Sequence, residues 1–256
     1  MRMDVDAWIG HWPFQSLPCR QAKDLLRKMD HYDIDKAMVG NLNGCLYKDV
    51  HESNHELMVQ IKGKRDRLLP CALIDPNYDG WREDLRQCRE EFGMSILRLL
   101  PDYHGYDLES DLSKELVNHA HELGFRVALV GRMVDPRGRH RLDPGRESNL
   151  GNVASFLDSF PDHSFLMLNF PSILDRNDRS APCLYDIPRF VGENGLRLGR
   201  EIRRWGASRF CLGTTFLLRY GMPSLLALER CELDPRDREA IEWRNVERFL
   251  PKEACS

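Results

Sequence analysis

The sequence predicts one (β/α)8 barrel, and three observations carry that expectation: its length, an alternation of apolar strands with amphipathic helices, and polar groups gathered at one end of the strands. At 256 residues the chain has the size of one such barrel. Eight short apolar runs follow one another: Met3–Ile9, Lys36–Gly40, Leu68–Ile74, Ser95–Leu100, Arg126–Val130, Ser164–Asn169, Cys183–Ile187 and Arg209–Gly213. Most are unbroken rather than alternating, as expected of parallel strands covered on both faces. Pro182 and Pro188 bracket the seventh, a short segment.

Between these runs lie helical patterns: Ala22–Asp30, Asn54–Lys62, Trp81–Glu91, Leu112–Leu123, Leu150–Phe160 and Gly195–Trp205. In the fourth, Leu112, Leu116, His119, Ala120 and Leu123 recur at helical spacing. Asp111 is placed as its N-cap and Gly124 as its stop. His119 and His121, two apart in that helix, cannot share a face and read as surface or core residues. No Ser/Gly-rich linker or composition shift divides the chain, so residues 1–256 read as a single domain. The rival is a doubly wound open sheet. Its dinucleotide version needs GxGxxG after the first strand, where this chain has GHWPF. No P-loop, HExxH or GxSxG is present either.

Composition excludes several classes. The formal charge is −3, which provides no basic field for nucleic acid or anionic membrane. No run reaches the roughly 18–20 apolar residues of a membrane helix. The opening MRMDVDAWIGHWPF, interrupted by two Asp residues, does not read as a signal peptide. The eight cysteines are scattered and form no CxxC pair, so they read as reduced thiols of a cytoplasmic protein. Homo-oligomerisation is left open.

In such a barrel, side chains at strand C-termini converge on one pocket. The first strand contributes Asp4, Asp6, Trp8 and His11, the second Asn41 and Asn43, and the third Asp75. The fourth contributes Arg98, then Asp102, Tyr103, His104 and Tyr106 in RLLPDYHGY. The fifth contributes Arg132, Asp135, Arg137 and His140 in GRMVDPRGRH. Asn169, Asp186, Thr214 and Thr215 complete the set. Each also has a bland reading: Asp4 and Asp6 as loop caps or wall carboxylates, His11 as loop packing, and Arg137 in a solvated loop. Arg98 lies inside an apolar strand, where a lone cation is costly unless paired. It either clamps a substrate anion or meets a structural carboxylate such as Asp75, and the clamp is the preferred expectation.

DVDAWIGHWPF, RLLPDYHGY, RFCLGTTF and the closing REAIEWRNVERFL, with Asn245 near its end, resemble in order and spacing the amidohydrolase-related family often called amidohydrolase 2. The resemblance implies an amidohydrolase-like TIM barrel with its chemistry at the C-terminal face. Metal-dependent members carry HxH after the first strand, His at the fifth and sixth, and Asp at the eighth. This chain has Asp6-Ala7-Trp8, the segment Val130 to Arg132, Asn169 and Thr215 there. Trp and Val cannot ligate a metal, and neutral Asn and Thr are weak zinc donors, so no cofactor is expected.

Some members of the superfamily work without metal and hold substrate carboxylates with arginines. By that analogy Arg98, Arg132 and Arg137 would bind a small anionic substrate. Tyr103 and His104 would stabilise an oxyanion, and His104 is a catalytic candidate with Asp6 and His11. Asp6 is the general-base candidate, with His11 or His140 as proton partner and Trp8, Asn169 and Thr215 around the substrate. The expectation is a metal-independent hydrolase of lactonase type, or a lyase. Two alternatives stand beside it: a non-catalytic barrel binding an anion or a protein, and an enzyme with a relocated metal on Asp6 with Asp4, His11 or Asp186.

Overall fold

The computed structural model describes residues 1–146, 149–172, 181–188, 190 and 196–252. Eight parallel strands follow one another in sequence order around a single sheet. They are β1 (Met3–Ile9), β2 (Lys36–Asn41), β3 (Leu68–Leu73), β4 (Ile96–Leu99), β5 (Arg126–Val130), β6 (Phe165–Leu168), β7 (Leu184–Asp186) and β8 (Phe210–Cys211). Every predicted strand is present, the proline-bracketed seventh included. The sheet closes on itself: Val5 N donates to Leu212 O at 2.9 Å, Leu217 N donates to Trp8 O at 3.0 Å, and Ala7 pairs with Phe216. Closure excludes the open-sheet rival.

Helices α1 (Ala22–His31), α2 (His51–Ile61), α3 (Trp81–Glu90), α4 (Pro101–His104), α5 (Asp111–Glu122), α6 (Leu150–Asp158), α7 (Leu196–Trp205) and α8 (Met222–Arg230) cover the outside. The first residue of the predicted 195–205 helix lies outside the described residues, as does Cys255. The cap of α5 is a correction. Ser110, not Asp111, is the N-cap; its hydroxyl accepts from Ser113 N, while Asp111 adds negative charge to the first turn. Gly124 follows at φ 82°, the left-handed stop expected of it.

Two apolar layers result. Ala7, Ala37, Val39, Leu97, Leu129 and Met167 point outward against the helices. Met38, Cys71, Ile96, Val130, Leu168 and Cys211 fill the lumen. In β1 the pairing with β2 shifts between Asp4 and Ala7. That extra residue changes the phase of the alternation, so Met3, Val5 and then Trp8 all fall on the lumen side. The last helical segment, residues 235–249, plugs the lower end of the barrel with Trp243, Val246 and Phe249. Asn245 fixes it there through two 2.9 Å bonds from Nδ2 to the carbonyls of Ala207 and Phe210. No helix among the described residues is long and apolar enough to cross a membrane.

Candidate active site at the C-terminal end of the strands

A buried carboxylate organises this end of the lumen. Asp6 Oδ1 accepts from Trp8 Nε1 at 2.7 Å. Its Oδ2 accepts from Asn169 Nδ2 at 2.7 Å and from Thr215 Oγ1 at 2.9 Å. Arg98 Nη1 lies 3.9 Å from Oδ1, and its guanidinium stacks on the Trp8 ring at 4.4 Å. Asp6, Trp8, Arg98, Asn169 and Thr215 are all fully buried. The expected convergence of Asp6, Arg98, Asn169 and Thr215 from four strands is therefore observed.

The backbone is bent to achieve it. Asn169 has φ 61° and Thr215 φ 58°, the left-handed region. For a β-branched residue such as threonine that conformation is costly, and strain of this kind concentrates at functional sites. Gly40 supplies the room opposite: a Cβ there would stand 2.9 Å from the Trp8 ring and 3.0 Å from Arg98 Nη1.

These positions correct several expectations. Asp6 is not placed to act as a general base, because three donors already occupy its two oxygens. Trp8, Asn169 and Thr215 spend their donors on Asp6 rather than on a substrate. Arg98 is a wall residue. Its Nη1 donates to Ala7 O (3.1 Å) and its Nη2 to Val5 O (3.0 Å) and Met38 O (2.9 Å). Its carboxylate partner is Asp6, not Asp75. Arg137 is pinned to Asp135 with its side chain 91% exposed, so it belongs to the surface of its loop. His140 is exposed, stacks on Phe14 at 5.8 Å and accepts from Leu142 N. His11 is exposed at the rim, its backbone amide tied to Asn43 Oδ1.

Asp4 has a structural task. It accepts from the backbone amides of Asp6 and Thr214, each at 3.0 Å, and from the Thr214 hydroxyl, so it ties β1 to the segment after β8. Burial is the main force pushing its pKa up to about 6, from 3.8. Because the folded value is raised, this group favours the fold most below pH 4, and that contribution is lost as pH rises through 6. The difference amounts to about 3 kcal/mol. Asp4→Asn should remove it: the stability of the variant relative to wild type should climb between pH 4 and pH 7. A flat difference across that range in paired melts would contradict the assignment.

Other groups remain chemically open. His104 donates from Nε2 to Gly44 O at 2.9 Å, which leaves Nδ1 as a buried acceptor with no partner; burial keeps its pKa below the usual histidine value. The Tyr103 hydroxyl is buried against Asp143, and its ring packs edge-on to Trp12 at 5.6 Å. Burial, reinforced by the Asp143 charge, pushes the phenol up.

Three residues that sequence reasoning underweighted or missed complete the site. Asp186, on the lumen side of β7, accepts from Asn169 N at 2.7 Å through Oδ1, while Oδ2 is buried and unpartnered. Burial, then the Asp6 charge, raises its pKa well above 3.8. Arg219 donates from Nη2 to Arg132 O at 3.2 Å, and it and Asp186 feel one another's charge. Asp143 lies in the loop after β5, buried with Oδ2 unpartnered. Arg219 and Asp143 follow their strands by several residues, away from the strand ends that a barrel gathers at one rim, and nothing in the sequence marks an Asp186 oxygen as unpartnered.

The chain shares its (β/α)8 barrel fold with solved structures. Neither a family model nor a curated protein matches the sequence. Solved structures do match along its length. 2,6-Dihydroxybenzoate decarboxylase from Rhizobium aligns with TM-score 0.70 and 14% identity, over 97% of this chain and 98% of that one. 5-Carboxyvanillate decarboxylase from Sphingomonas paucimobilis aligns with TM-score 0.72 and 9% identity, over 97% and 98%. Dihydroxybenzoic acid decarboxylase from Polaromonas sp. JS666, with bound manganese and the inhibitor 2-nitroresorcinol, aligns with TM-score 0.67 and 12% identity, over 97% and 96%.

Manganese needs several oxygen or imidazole acceptors converging on one point. Here the positions around Asp6 present an indole N–H, an amide N–H and a hydroxyl, each donating to that carboxylate, with a guanidinium beside it. A metal at Asp6 would have to displace these donors and sit against a like charge. The residues present do not fit it. Among the described residues no group of three His, Cys, Asp or Glu side chains could hold a metal elsewhere.

Proposed function

We propose that the protein is a metal-independent lyase that decarboxylates a small aromatic carboxylate at the C-terminal end of the barrel. The observation that carries this reading is Asp186, a buried acid with one unpartnered oxygen, within reach of the Arg219 charge. A carboxyl group kept protonated by an apolar site can donate a proton at neutral pH. The relatives by fold act, by their names, on hydroxylated benzoates, which supports the substrate class.

In this reading Arg219, with Arg132 beside it, holds the substrate carboxylate by charge-assisted hydrogen bonds. The bond between ring carbon and carboxyl carbon breaks, and its electron pair remains on the ring. Asp186 Oδ2 delivers a proton to that carbon, carbon dioxide leaves, and solvent reprotonates Asp186. His104 Nδ1, a buried acceptor without a partner, would take a hydrogen bond from a ring hydroxyl. The Asp6 charge raises the affinity of Asp186 for its proton. A lyase is favoured over a lactonase-like hydrolase because Asp6, the carboxylate that would activate water, is already occupied by donors.

The test is release of carbon dioxide from 2,6-dihydroxybenzoate by purified protein, together with calorimetric binding. Arg219→Gln should weaken binding by roughly 2–4 kcal/mol while the melting temperature stays near that of wild type. Binding unchanged in that variant would place the carboxylate elsewhere. A second reading has its own support in the complete occupation of Asp6: a barrel that binds the anion without turning it over. Binding with no carbon dioxide release from any ortho-hydroxylated benzoate would favour it.

A further inference from the structure

We propose that the opposite, N-terminal face of the barrel carries a second ligand site, which takes a phosphate-bearing small molecule. A cavity of about 270 Å³ opens between the starts of β5 to β8 and the C-terminal helical segment. Arg126 enters it from the first position of β5, and Arg248 from the terminal helix. Neither guanidinium has a hydrogen-bond or ion-pair partner among the described residues. The imidazoles of His121 and His163 line the same cavity, stacked with ring centroids 3.7 Å apart. His121 Nδ1 is buried there with no partner. Ser164 and Ser208 add hydroxyls, and Asp162 is the acidic residue in the lining.

The N-terminal face of such a barrel ordinarily carries stabilising contacts. Here two exposed guanidiniums and a pair of stacked imidazoles gather around an open space. Burial, then the His163 and Arg126 charges, pushes His121 down to about 4. A tetrahedral dianion matches what the cavity offers: guanidinium forks for its oxygens, serine hydroxyls, and imidazole N–H donors. The space exceeds that of the bare ion and leaves room for the remainder of a phosphomonoester.

Binding should be linked to pH. Bound anion would relieve the repulsion on His121, whose charged and titratable neighbours are His163 and Asp162 from the loop before β6, Arg126 on β5 and Arg248 on the terminal helix. A proton is then taken up with the ligand, so affinity rises as pH falls.

The experiment titrates the full chain by calorimetry with inorganic phosphate, sulfate and ribose 5-phosphate, using chloride at equal ionic strength and free ribose as controls. Sulfate does not titrate between pH 6 and 8, so it isolates the protein's protons; it should bind more tightly at pH 6 than at pH 8. Arg126→Gln/Arg248→Gln should lose about tenfold or more in affinity for phosphate, with its melting temperature in chloride and its affinity for 2,6-dihydroxybenzoate unchanged. Ribose 5-phosphate binding more tightly than phosphate identifies an ester site; equal affinities identify a site for the ion. No saturable binding of any of the three, equal binding by the double variant, or zinc binding at the histidine pair in place of phosphate would each overturn the proposal. None of these outcomes depends on whether the barrel decarboxylates anything.

Discussion

Asp186→Asn is expected to lower turnover of 2,6-dihydroxybenzoate by roughly 10²–10⁴-fold, the range typical of removing a general acid, while leaving its binding nearly intact. The substitution is close to isosteric. Asn still offers an oxygen to Asn169 N, which donates to Asp186 Oδ1 at 2.7 Å, so the turn after β6 keeps its anchor. What disappears is the transferable proton on Oδ2. Gly213 leaves room for this side chain, because a Cβ at 213 would stand 3.0 Å from Oδ2. Single-turnover kinetics and calorimetry on the same variant decide the matter. Loss of binding in proportion to turnover would make Asp186 a substrate contact rather than the acid, and undiminished turnover would remove it from the mechanism.

Arg98→Met should be the most damaging single change to stability, by about 3–5 kcal/mol, because it leaves the buried Asp6 without its neighbouring cation. The carbonyls of Val5, Ala7 and Met38 lose their guanidinium donors at the same time. For a chain of this size the melting temperature should fall by on the order of 10 °C. Affinity for the carboxylate ligand should hold, measured at a temperature where the variant is folded. A variant that melts like wild type but has lost ligand affinity would return Arg98 to the role of anion clamp and contradict the wall assignment.

The fold was legible in the sequence because parallel strands buried on both faces read as unbroken apolar runs. Even the two-residue β8 shows itself in RFCLG. The site was legible in part. That Asp6, Arg98, Asn169 and Thr215 meet follows from strand ends alone, since a closed barrel brings every strand end to one rim. Who bonds whom does not follow. Trp8 reaches the lumen because a bulge in β1 shifts the phase of alternation, and such a shift leaves no mark in composition. Arg98 reads as a clamp because its surroundings are apolar, but its donors find backbone carbonyls of β1 and β2, which every sequence has. Arg137 and His140 follow β5 in sequence as a site loop should, yet local pairing with Asp135 and stacking on Phe14 hold them at the surface.

Hydrogen-bond donors and Arg98 stand around Asp6 where a metal would need open acceptors, so the ligand carboxylate should be held without one. Calorimetric titration of 2,6-dihydroxybenzoate into chelator-stripped and manganese-supplemented protein decides this. The same Kd is expected in both samples; binding that appears only when stoichiometric manganese is restored would mean that a metal holds the ligand.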